Sequence, residues 1–201
     1  MNNIYITLAV EDSLSEVVAR KLLEQTNQNY RVSQCLCNQG QGYLKSKINN
    51  FNQAAKFTPF FVLTDQDRGC PPTLISSWLK KEASKYFIFR IAVMKIESWV
   101  MAHREAFAEF FSISLANIPQ NMDELRDPKQ FLVNLVKHSR SKRLRDDIIP
   151  DTGSTAKVGP DYNNRLSQFV QNKWNAFEAE VHSESLRRAL FRIREFKRNF
   201  E

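Results

Sequence analysis

Hydrophobic residues along this chain fall into two alternating rhythms. "IYITLAV" (Ile4–Val10) is a short, nearly unbroken apolar run rich in β-branched residues, the pattern of a strand buried on both faces. In "EDSLSEVVARKLLEQT", Leu14, Val17, Val18 and Leu22 recur at helical spacing. Ser13 with Glu16 fits a capping box, which predicts a helix from about Leu14. "YRVSQCLC" alternates as a second strand. "GQGYLKSKINNFNQAAKF" predicts a helix opened by Gly40 and Gly42, with Tyr43/Leu44, Ile48 and Phe51 as its stripe. "FFVLT" is the third strand, and a helix follows from near Thr73 through Trp78. "YFIFRIAV" is the fourth strand. It leads into "KIESWVMAHREAFAEFF", where Ile96, Trp99, Val100, Phe107 and Phe110 share one helical face.

This β-α repetition predicts an α/β fold with a mainly parallel four-stranded sheet flanked by helices. The repetition stops near residue 112. The expected division is an α/β domain over 1–112 and a helical extension with a basic segment over 113–201. In the extension, "SISLANIPQNMDELRDPK" reads as a connector and Pro128 to about Arg140 as a helix. A loop, "IPDTGSTAKVGPDYN", then precedes two helices. The last of these carries Leu186, Leu190, Ile193 and Phe196/Phe200.

Composition excludes some classes. With 42% hydrophobic residues, 15 Phe and 3 Trp, the chain has ample core material and is not intrinsically disordered. No apolar run approaches the roughly 20 residues of a membrane span. "MNNIYITLAVEDS" lacks a basic leader, so no secretory signal is expected. Three sparse cysteines, Cys35, Cys37 and Cys70, fit reduced thiols and a cytoplasmic location. Cys35 and Cys37 have no second Cys/His pair to complete a zinc site. The net charge is +7, which favours polyanionic partners such as nucleic acid. Six Lys/Arg and no acid lie between Lys129 and Arg145, and a second basic group runs from Arg187 to Arg198. Both fit solvated helix faces or a track for a phosphate backbone.

The candidate chemistry lies where strands end. In a parallel α/β sheet the carboxyl ends of the strands form the working edge. Glu11 follows the first strand, Asp65 and Asp67 end the third in "LTDQDRG", and Glu97 follows the fourth. Each has an ordinary reading alone: turn chemistry for Asp65 and Asp67, helix N-terminal acids for Glu11 with Asp12 and for Glu97. Together at one edge they would repel, by about 4 kcal/mol for a like pair ~4 Å apart at an effective dielectric near 20. A hard divalent cation with oxygen ligands, Mg²⁺ or Mn²⁺, is the natural neutraliser.

A strand ending in Glu and a later strand ending in D-x-D resemble the Toprim domain of topoisomerases, primases, recombination proteins and nucleases of the overcoming-lysogenization-defect type. More narrowly, "VED…LTDQD…IESWVMA…DPK" looks like a Toprim-like group of uncharacterised prokaryotic proteins, several in phage-defence neighbourhoods. The resemblance implies a Rossmann-like Toprim core, an acid/base and metal role for Glu11, and metal contacts at Asp65, Asp67 and Glu97. It also implies phosphate-facing roles for Lys129 and Lys157. Asp12 departs from the pattern, which commonly has a small residue there.

These readings lead to a metal-dependent phosphodiesterase acting on nucleic acid. The alternative is a non-catalytic metal-binding regulatory or interaction subunit that works with an ATPase partner, since no G-x-x-x-x-G-K-[ST] motif is present. His103 is expected as a packed histidine on the apolar face of its helix, and Trp99 as core.

Overall fold

A computed structural model of the chain describes residues 3–26, 28–66 and 70–196. In chain order the first part comprises β1 (Ile4–Val10), α1 (Ser13–Gln25), β2 (Tyr30–Leu36), α2 (Gly40–Ala54), β3 (Phe60–Asp65), α3 (Pro71–Trp78) and β4 (Phe87–Ala92). Then come α4 (Ile96–Ala102), α5 (Arg104–Phe110), α6 (Pro128–Val136), α7 (Lys142–Ile148), α8 (Tyr162–Asn172), α9 (Ala176–Ala179) and α10 (Glu184–Arg194).

The fold is α/β, and the sheet is parallel throughout, in the order β2-β1-β3-β4. This arrangement is consistent with a Rossmann-like Toprim core. From β1 the chain passes through α1 to β2 on one side. From β2 it returns through α2 and crosses β1 to reach β3. The direction of winding therefore reverses between β1 and β3, and such a switch point opens a crevice at the carboxyl ends of the strands.

Strand alternation divides the core in two. Ile6, Leu8, Val10, Phe61, Leu63, Ile88 and Ala92 face a large cluster containing α1, α4 and the C-terminal helices. Ala9, Phe60, Val62, Phe87, Phe89 and Ile91 face a smaller one under α2 and α3.

Local chemistry moves several boundaries. The cap of α1 is Asp12, not Ser13: its extended backbone lets Oδ1 accept from Ser15 N at 2.8 Å, so the helix starts one residue earlier. Helix α3 begins at Pro71, a residue preorganised for the first helical position. The single helix expected from Ile96 onward breaks at His103 (φ −80°, ψ 71°). The helix from Pro128 ends at Val136, where Ser139 Oγ donates to Phe111 O at 2.6 Å and Arg140 N to Ser112 O at 3.0 Å. The basic segment then forms a helix of its own, α7, capped by Ser141. The loop before α8 is fixed at Gly159. A Cβ there would lie 2.5 Å from Asp147 O, so only glycine lets the two backbones meet. Phe196 is buried, while Phe200 lies outside the described residues.

Candidate functional site

The pairing of Val10 with Leu63 sets the geometry of the switch point. It brings Glu11 level with Thr64, a buried hydroxyl on an otherwise apolar strand. Glu11 Oε1 accepts from Asp65 N at 2.7 Å and from the Thr64 hydroxyl. One side chain thus fastens the ends of β1 and β3 together.

Asp65 faces the other way, toward β4. Its Oδ1 accepts from Ile96 N at 2.8 Å, and its Oδ2 lies 3.8 Å from Lys95 Nζ. The turn that delivers these groups holds Met94 at φ 62°. A bulky residue in the left-handed region carries strain that the surrounding contacts must offset. Helix α2 closes the crevice from above: Gly40 N donates to Glu11 O at 3.3 Å and Gln41 Nε2 to Asp65 O at 3.0 Å. Gly40 does this at φ 69°, a conformation glycine adopts without steric cost.

Glu97 stands on the first turn of α4 and is 2% exposed. Burial at this level requires partners. Two residues from the C-terminal half supply them: the Tyr162 hydroxyl donates to Oε1 at 3.2 Å, and Lys129 Nζ lies 3.4 Å from the same oxygen. Lys129 also sits 5.5 Å from the centroid of the Tyr162 ring, within cation–π reach. Burial, then the Glu97 charge, raise the Tyr162 phenol far above its ordinary range, so it remains a hydrogen-bond donor.

Electrostatics ties the halves into one cluster. Burial raises the Asp65 carboxyl well above the usual range, and the Glu11 and Glu97 carboxylates raise it further, against the opposing pull of Lys95. The donors are carboxylate oxygens with no thiol or imidazole among them, chemistry that fits Mg²⁺ or Mn²⁺. Among the described residues no three Asp, Glu, His or Cys already stand together as a metal-binding group. Lys95 and Lys129 instead occupy the positions of counter-charge.

The structure therefore brings Glu11, Asp65, Glu97 and Lys129 to one edge. Asp67 lies outside the described residues. Lys157 sits on an exposed loop and makes no ion pair or hydrogen bond to this cluster among the described residues. Sequence reading missed Thr64, Lys95 and Tyr162 as contributors. A polar residue closing an apolar strand was the available sign for Thr64, and adjacence to Glu97 for Lys95. Tyr162 lies 65 positions from Glu97, and no local pattern links them.

Other candidates resolve simply. Trp99 is fully buried, as expected, and its Nε1 donates to Ser185 Oγ at 2.7 Å. His103 is half-buried at the helix break, not on a continuous apolar face, and its Nδ1 accepts from Asn175 N at 3.0 Å. Burial, then Glu16, push the Cys35 and Cys37 thiols up to about 12 and about 11, which keeps them protonated at neutral pH. No helix among the described residues is long and apolar enough to cross a membrane.

No protein-family model matches the chain, and no curated protein matches it. Among solved structures it is similar to the C-terminal region of the OLD protein of Xanthomonas campestris pv. campestris, in two structures. For the one phased with iodine, identity is 16%, coverage 94% of each chain and the TM-score 0.45. For the one phased with platinum, identity is 15%, coverage 94% of this chain and 92% of the other, and the TM-score 0.44.

Proposed function

We propose that this protein is a metal-dependent phosphodiesterase acting on nucleic acid, with its centre at the carboxyl ends of β1, β3 and β4. The observation that carries this reading is that Glu11 and Asp65 meet at the switch point, with Glu97 near enough for its charge to act on Asp65: burial, then Glu11 and Glu97, hold the Asp65 carboxyl well above its ordinary range. Glu11, Asp65 and Glu97 would hold Mg²⁺ or Mn²⁺, together with Asp67, two positions beyond Asp65. The ion supplies Lewis-acid polarisation of a phosphoryl oxygen and a more acidic bound water.

The chain's own groups have distinct parts in this reading. Glu11 is oriented by the Asp65 N–H and the Thr64 hydroxyl. It is the carboxylate positioned to hold a proton from water at the crevice. Asp65 is aimed by the Ile96 N–H, so the strained turn at Met94 sets its direction. Lys129 is 36% exposed at its side chain. It has the reach to stabilise negative charge developing on a phosphoryl group. Tyr162 fixes Glu97 and stays protonated.

The test is cleavage of end-labelled single-stranded DNA, duplex DNA and RNA with Mg²⁺, Mn²⁺ or EDTA. Wild type is expected to cut at least one of them with metal, and Asp65→Asn to cut it at least ~10²-fold more slowly. Equal rates for the two would remove the carboxylate centre from the mechanism. One observation favours a second reading, a non-catalytic metal-binding subunit that works with an ATPase partner. Lys95 and Lys129 stand within ion-pair distance of Asp65 and Glu97, as in a site kept for structure. Calorimetric Mn²⁺ binding without turnover on any substrate would select that reading.

A further inference from the structure

A second charged feature lies away from the carboxylates, between the free edge of β4 and helix α10. β4 ends the sheet, so beyond it no strand pairs among the described residues. Arg90 projects from β4 on the same face as Ile88 and Ala92, toward α10. Its Nε is buried and has no hydrogen-bond partner among the described residues. It forms no ion pair there either. Buried guanidinium groups are ordinarily paired, because an unpaired buried charge is costly. Arginines crowd it, Arg188 and Arg192 among them, while the acids lining the cavities it borders are Glu180, Glu184 and Asp123. Burial, then the charges of Arg192 and Arg188, push it down to about 10.

The groove beside it encloses about 520 Å³ and is lined by Arg90, Arg187, Arg188, Phe191 and Arg194, with Glu180 and Glu184 as its acids. Glu184 is shared between Arg187 and Arg188, the latter at 2.7 Å. Among the described residues neither Arg90 nor Arg192 has a carboxylate within ion-pair distance. Phe191 is 59% exposed in the same groove. An exposed aromatic among guanidinium groups offers a stacking face next to phosphate-binding donors, the combination by which single strands are held without sequence reading. A duplex keeps its base faces stacked inside and exposes only phosphates and base edges, so it would leave Phe191 without a face to stack on. A smaller adjoining cavity shares Arg90, Glu184 and Arg188 and extends to Val93. That residue lies two positions before Lys95 of the carboxylate cluster.

We propose that this groove binds single-stranded nucleic acid, with Arg90 and Arg188 on backbone phosphates and Phe191 stacked on a base. The proposal rests on the nucleic-acid reading of the carboxylate centre and names its substrate as single-stranded. The strand would run along β4 toward the crevice.

The test is fluorescence anisotropy with labelled oligothymidylate and with a duplex of equal length, in EDTA so that no cleavage occurs. Phe191→Ala is expected to weaken single-strand binding at least about fivefold and to leave duplex binding unchanged. Arg188→Gln, an exposed position, is expected to weaken it and to lower the salt-dependence slope by about 0.7. Arg90→Met, which keeps the apolar stem, should act in the same direction. Unchanged single-strand affinity in both Phe191→Ala and Arg188→Gln overturns the proposal, as does tighter binding of the duplex by wild type. Because Asp65→Asn retains the groove, loss of cleavage with intact binding separates the two sites. Groove-dependent binding without any cleavage by wild type would remove the nuclease reading and leave the groove.

Discussion

The two faces of the sheet differ in what covers them. One carries α2 and α3 only, and its cluster is closed by Trp78 stacked on Phe89 at 5.6 Å. The other carries α1, α4 and helices from the whole C-terminal half, with Trp99, Trp174, Phe107, Phe111 and Phe169 packed among them. The difference bears directly on the site. Glu97, Lys129 and Tyr162 all come from the thick side, and Asp65 takes its hydrogen bond from α4 on that side. The helices after residue 112 are therefore the back wall of the crevice. Their packing determines where Glu97 and its partners stand.

That contrast gives its largest expected effect at two of the three buried tryptophans, Trp99 and Trp78. Trp99 is fully buried, donates to Ser185 Oγ, and has its backbone oxygen bonded by Trp174 Nε1 at 3.0 Å. Trp99→Ala should cost about 3–5 kcal/mol of unfolding free energy, the range for deleting a large buried aromatic. Trp78→Ala, on the thin side where α3 can relax into the space, should cost less. Urea denaturation of both variants measures this. Equal losses would mean that the two faces contribute alike and that the thick side is not the anchor of the fold.

A smaller effect is expected where the thick side meets the site. Tyr162→Phe removes the hydroxyl that donates to the buried Glu97 carboxylate and leaves Lys129 as its partner. Hydrogen bonds to charged groups contribute roughly 1.5–3 kcal/mol, and a loss in that range is expected by urea denaturation. The same variant should weaken Mn²⁺ binding by calorimetry if Glu97 is a ligand held in place by Tyr162. A stability loss with unchanged Mn²⁺ affinity would confine Tyr162 to the fold.

The parts of the molecule that could be read from the chain were those set by local periodicity. β1, β3 and β4 follow from runs such as "IYITLAV" and "FFVLT", because a parallel sheet buries both faces of its inner strands, while the edge strand β2 follows from its alternation. The carboxylates at strand ends were legible for the same reason, since topology alone puts Glu11 and Asp65 on one edge. The break at His103 was not. The apolar spacing from Ile96 to Phe110 continues through it, and the residue that bonds His103 at the break is Asn175, 72 positions away. Tyr162 and Arg90, whose Nε has no hydrogen-bond partner among the described residues, were hidden likewise. Their partners, or lack of them, are decided by how α8 and α10 dock. Asp12 was legible as an acid favouring the start of a helix and as a departure from the Toprim pattern, but its role as the cap of α1 came from backbone geometry.

The smallest expected effect also lies on the thick side, and it concerns pH. His103 is held below its ordinary range chiefly by burial, against the weaker pull of Glu178 and Glu105. Its Nδ1 accepts the Asn175 N–H, which a doubly protonated ring cannot do. The unfolded chain therefore binds this proton more readily than the folded one. Stability from this group is complete above the unfolded value of about 6.5. It should fall as pH drops from there to the depressed folded value and then level off. His103→Gln retains an oxygen able to accept the same N–H and has no charge to gain. Urea midpoints measured from pH 8 to pH 5 should show a decline in wild type that is shallower in His103→Gln. Parallel pH profiles for the two would place the titration elsewhere and leave the helix break as a matter of geometry alone.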